Sequence, residues 1–72
     1  MPAPRDLTML KTDSKKVLMA MATAEMEPIE LSEKSGVSKN VVYAMRKGIL
    51  AKPKHIGMIA RTLGVSVADL IE

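Results

Sequence analysis

The sequence predicts an all-α protein, a compact domain of five short helices. Three observations lead there. Prolines and glycines bracket helix-length segments, Pro28 with Gly36 and Pro53 with Gly64, a proline being suited to the first helical turn and a glycine to the left-handed residue that ends one. Apolar residues recur three and four positions apart, as Ile56, Ile59, Ala60 and Leu63 do. Finally, no stretch alternates with period two for long enough to argue for a sheet, although Val41-Val42-Tyr43 has local β propensity.

Met1 to Thr12 carries Pro2 and Pro4 and no sustained apolar period, so residues 1–12 are expected to form a flexible arm with no part in the fold. Residues 13–72 are expected to be the folded domain. Asp13 or Ser14 caps a first helix running to about Ala24, with Val17, Leu18, Met21 and Ala22 on its apolar stripe. Pro28 opens a short second helix that Gly36 ends. Ser38 caps a third, through about Lys47, in which Val42 and Met45 share a face and Gly48 closes the element. Ile49 to Lys52 is expected to be a loop. Pro53 then opens the fourth helix, Gly64 stops it, and Ser66 caps a last short helix with Leu70 and Ile71 apolar.

A chain of 72 residues holds one small domain. With no cysteine, neither disulfide nor thiolate metal site can staple it, and helix packing must supply the core. The absence of cysteine fits a reducing cytoplasm, which is the expected location. The longest apolar run, Val17 to Ala22, falls far short of the roughly 20 residues that span a bilayer, and nothing resembles a signal peptide. Net charge is +3, which alone says little; its distribution says more. From Lys34 to Ala68 the charged residues are Lys34, Lys39, Arg46, Lys47, Lys52, Lys54 and Arg61, with no Asp or Glu among them.

The connection between the second and third helices is where function is expected. Leu31 and Val42 can meet in a core, Gly36 permits a sharp turn, and the small Ser32 lets two helix axes approach, as a helix-turn-helix requires. If Val42 and Met45 face inward, Lys39, Asn40, Tyr43 and Lys47 remain on the outer surface, with Val41 and Ala44 near its edges. A solvated helix face is the plainer account of any one basic helix. Here the turn spacing and the segment that follows weigh against it.

The segments LSEKSGVSKNVVYAMRKG and KPKHIGMIARTLGVSVADLIE resemble the DNA-binding domain of lambdoid phage repressors, Cro proteins and related bacterial regulators, over Ser14 to Glu72. Leu31, Gly36-Val37-Ser38, Val42, Gly48, Lys52-Pro53-Lys54 and the run from Ala60 to Ser66 carry the likeness. The resemblance implies a lambda repressor-like fold and a sequence-specific regulator, acting as a repressor, that binds a palindromic operator in double-stranded DNA as a homodimer with the third helix in the major groove. By the same resemblance the base-reading positions are Lys39, Asn40 and Ala44, with Val41 and Tyr43 close by. Their chemistry suits the role: Lys39 can donate to guanine, Asn40 can bond adenine bidentately, and Ala44 or Val41 can touch a thymine methyl. Ser38 caps the helix at the same surface, and Lys47, Lys52 and Lys54 are expected over phosphates. Three positions depart from the family pattern. Pro28 stands where relatives carry a phosphate-contacting glutamine, and Ser35 where an apolar residue is usual. Arg46 replaces a glutamate that pairs with an arginine on the first helix, at a position matching Met21, so Arg46 is expected to be free for solvent or phosphate. Glu72 coincides with the end of that family's DNA-binding domain, as in a small Cro-like regulator or the amino-terminal portion of a longer repressor.

No enzyme is expected: the sequence offers no nucleophile, base and orienter set, no glycine-rich phosphate loop and no acid cluster. No cofactor, small-molecule substrate, metal or membrane partner is expected either. His55 lacks a Cys or His partner at ligand spacing and reads as an ordinary helix-start histidine. The seven methionines read as flexible core filler. The rival function is a helical protein-interaction module that does not read DNA. Single-stranded RNA is disfavoured because Tyr43 is the only aromatic residue.

Overall fold

The computed structural model of the chain describes residues 9–72. Its elements are, in order, β1 (Leu10–Lys11), α1 (Ser14–Ala24), α2 (Pro28–Ser35), α3 (Lys39–Arg46), β2 (Leu50–Ala51), α4 (Pro53–Leu63) and one 3-10 turn, Val67–Asp69. The helices begin and end where local chemistry dictates. The Asp13 carboxylate accepts the Lys16 N–H at 3.0 Å and caps α1; Pro28 and Pro53 stand in the first turns of α2 and α4. Gly36 and Gly64 end those helices in the left-handed region, at φ 79° and 74°, where a side chain would be strained. Glu25 does the same for α1 at φ 56° without being glycine.

Helices α1 and α2 each pack on α3 and on α4 around one core. Leu31, Met45, Ile56, Ile59, Leu70, Val17 and Val42 are its fully buried side chains. The inward stripe expected for α4, Ile56, Ile59, Ala60 and Leu63, is buried throughout. That of α1 is rotated: Val17, Ala20 and Met21 face in, whereas Leu18 is 43% exposed and Ala22 also lies outside. The Ser14 hydroxyl, on the first residue of α1, donates to the Arg46 carbonyl.

The expected fifth helix is only the 3-10 turn. A capping box closes it, with the Asp69 carboxylate accepting the Ser66 N–H at 3.1 Å. The chain then leaves the helical path, because Leu70 is drawn fully into the core and Ile71 pairs with Thr12 in an isolated antiparallel bridge. Val65, Val67 and Ile71 are half-buried and packed against the same core.

Nor is the protein purely helical. β1 and β2 pair antiparallel, Leu10 opposite Ala51 and Lys11 opposite Leu50, inside the segments expected to be an arm and a loop. Leu10, Lys11 and Thr12 therefore belong to the fold, and Thr12 is fully buried. Residues 1–8 of the expected arm lie outside the described residues. Among the described residues no helix is long and apolar enough to cross a membrane.

Candidate nucleic-acid interface

Helix α3 owes its attitude to the turn before it. The Gly36 N–H donates to the Ser32 carbonyl at 3.0 Å, and the Ser32 hydroxyl donates to the Val37 carbonyl at 2.6 Å. Ser35 contributes too, its hydroxyl accepting the Val37 N–H at 3.2 Å; a serine at this position thus replaces apolar packing by a hydrogen bond inside the turn. Val37 is buried, and Ser38 starts α3, its hydroxyl accepting the Val41 N–H at 3.4 Å.

Val42 and Met45, 1% and 0% exposed, hold α3 to the core. The opposite face carries Asn40 and Lys47 at its centre, flanked by Tyr43 and Ala44. Ser38, Lys39, Asn40, Tyr43 and Lys47 are exposed, while Val41 and Ala44 are half-buried. Of the α3 residues named from the sequence, Asn40, Tyr43, Ala44 and Lys47 share the face opposite the core, while Lys39 and Val41 lie at its two edges and Val41 also packs against the core.

The far end of α3 is held by a device the sequence did not announce. The last carbonyls of a helix lack intrahelical partners, and here residues 11–14 supply donors. Thr12 Oγ1 donates to the Ile49 carbonyl at 2.7 Å and to that of Met45 at 3.3 Å. Lys11 Nζ donates to the Gly48 carbonyl at 2.8 Å, and the Ser14 hydroxyl to that of Arg46. Gly48 makes this approach possible. Its φ is 76°, and a Cβ there would lie 3.4 Å from the Thr12 carbonyl oxygen.

On one flank of α3 a shallow groove runs between Asn40, Val41 and Ala44 on the helix and Leu50, Ala51, Lys52 and His55 beyond it, with Met9 also lining it. Lys52 therefore stands beside the α3 surface. Lys54 lies in the first turn of α4 and lines a different groove, between α2 and α4, together with Lys34 and Arg61. Leu50 was not singled out from the sequence, and His55 was read there only as an ordinary helix-start histidine. Leu50 lay in an expected loop, and a histidine without ligand partners gave no signal beyond its place one turn into a helix.

Arg46 is not free in the way expected. Its Nε is buried without a hydrogen-bond partner among the described residues, and its guanidinium stands 5.7 Å from the centre of the Tyr43 ring, within cation-π range. Met21, at the position of the absent arginine, is buried. The ion pairs among the described residues are Lys34 with Glu30 at 2.9 Å and Lys11 with Glu72 at 3.5 Å, both exposed and worth little. Lys39, Lys47, Lys52 and Lys54 take part in neither. Among the described residues no group of His, Asp or Glu is gathered to hold a metal.

The surface that results is a basic helix face with one amide, two small apolar side chains and a flanking lysine. Such a face offers donors to phosphates and to base edges. Compared with protein families, residues 16–72 match the model of the Cro/C1-type HTH DNA-binding domain. The searches of curated proteins and of solved structures returned no match.

Proposed function

The chain belongs to the Cro/C1-type HTH DNA-binding domain family, and from that premise we propose that it is a transcriptional repressor whose α3 reads a palindromic operator from the major groove. The observation that carries this is the face of α3: Lys39, Asn40 and Lys47 stand exposed on a helix anchored by the fully buried Val42 and Met45. An α-helix is about 10–12 Å across with its side chains and fits a major groove about 12 Å wide. Asn40 bonds adenine N6 and N7, and Lys39 donates to guanine O6 and N7. Ser38, Tyr43, Lys47 and Lys52 bond phosphates on either side, and Lys54 reaches the backbone from the neighbouring groove.

One α3 spans only a few base pairs, too few to single out one site in a genome. Two copies related by a twofold axis read half-sites roughly 34 Å apart, and the duplex itself supplies the effective concentration that brings them together. The test is selection of bound duplexes from a random pool, followed by sedimentation of the protein with the winner. A palindromic winner carrying two chains is expected. A site without symmetry holding a single chain would refute the dimer, and affinity that does not fall with salt would refute DNA binding in favour of a protein partner.

A further inference from the structure

Leu50 is half exposed on β2, and the core does not account for its outward side chain. The structure places it across a groove from Val41 and Ala44, with Asn40 on the α3 rim and Lys52 and His55 on the other. Its lining is mostly apolar and includes an amide, an ammonium and an imidazole, and among the described residues no carboxylate lines the groove. In the major groove the apolar feature of a base edge is the C5-methyl group of thymine. A thymine also brings the adenine it pairs with, and an adenine is what the Asn40 amide can bond bidentately.

We propose that Leu50, together with Val41 and Ala44, forms a thymine-methyl site, making Leu50 a specificity-determining residue contributed by the strand after α3 rather than by α3 itself. The proposal rests on α3 being the base-reading helix and says which base lies beside it. Charge complementarity and continuity favour this occupant: Asn40, Val41 and Ala44 belong to the proposed DNA surface, and Lys52 brings a cation to the rim where a phosphate backbone would run.

The experiment uses the full chain and the preferred duplex from the random pool, with each thymine replaced singly by uracil, which removes the methyl group and keeps the base pair. At one position per half-site the replacement should weaken binding about fourfold, the worth of one buried methyl-sized group. Leu50→Ala should weaken the thymine duplex by a similar factor and abolish the difference between thymine and uracil there. Leu50→Met, which keeps apolar volume, should preserve that difference, so a general loss of fold in the alanine variant would not be mistaken for the effect. A thymine-to-uracil ratio unchanged by Leu50→Ala overturns the proposal, as does loss of the second chain with methyl dependence intact, which would assign Leu50 to contact between copies. A pool that yields no preferred duplex overturns base reading by α3 as well.

Discussion

Replacing Thr12 by valine would remove one hydroxyl and almost no volume, which makes it a direct probe of what holds the end of α3. The Thr12 side chain is completely buried, so water cannot replace it. Its short bond, 2.7 Å to the Ile49 carbonyl, and its longer one, 3.3 Å to that of Met45, are unequal in consequence. The Met45 carbonyl also accepts the Gly48 N–H at 3.0 Å and stays satisfied; the Ile49 carbonyl would lose its donor. Ile49 is itself half exposed, so its carbonyl is only part-buried and losing this bond costs about 0.5–1.5 kcal/mol. At roughly 4–8 °C per kcal/mol for a domain of this size, a loss near the middle of that range lowers the thermal midpoint by about 4–8 °C. Circular dichroism melts of Thr12→Val and Thr12→Ser, at equal protein concentration, measure it. Serine keeps the hydroxyl and loses a methyl group, so valine should be the worse substitution. A valine variant melting within about 3 °C of the parent, or above the serine variant, would refute the hydroxyl's role.

Gly48→Ala forces a side chain into the left-handed region at φ 76° and 3.4 Å from the Thr12 carbonyl oxygen, and should destabilise by about 1–3 kcal/mol in urea unfolding; an unchanged midpoint would contradict the close approach. Asn40→Ala should lose about 1–3 kcal/mol on the preferred duplex and much less on random DNA, and equal losses on both would remove Asn40 from the base-reading set. Lys52→Ala and Lys54→Ala should each weaken all duplexes alike and reduce the slope of log affinity against log salt by about 0.9 for each phosphate no longer neutralised. A slope that moves for Lys52 alone would show that the α2–α4 groove, with Lys54, lies away from the DNA.

Much of the helical frame was legible because its boundaries rest on residues with one physical use. Pro28 and Pro53 start helices where a missing N–H does no harm, and Gly36 and Gly64 end them at positive φ. The inward positions of α3 and α4 followed from spacing alone. What stayed hidden depends on partners distant in the chain. Strands of two residues leave no periodicity to find, and Thr12 has no signature as a buried residue until Ile49 is beside it. On α1 the core took Ala20 in place of the larger apolar residue, Leu18, a choice that depends on how the helix packs against α3 and α4. At the interface the outward set on α3 could be listed from spacing, but the separation of Lys52 from Lys54 arises because Pro53 and Lys54 are already helical.

The donors at residues 11, 12 and 14 reach α3 and the residues just after it across separations of 32 to 37 positions. In polymer terms they share one loop. Closure entropy grows only as the logarithm of loop length, so the first bond to form bears nearly all of that entropy and the others follow at little extra. The end of α3 is then fastened cooperatively, and it loosens only when the N-terminal strand detaches and releases its bridge to Ile71. Hydrogen exchange would report one opening free energy for the amides of Gly48, Asp13 and Glu72; widely different values would show instead that these bonds break one at a time.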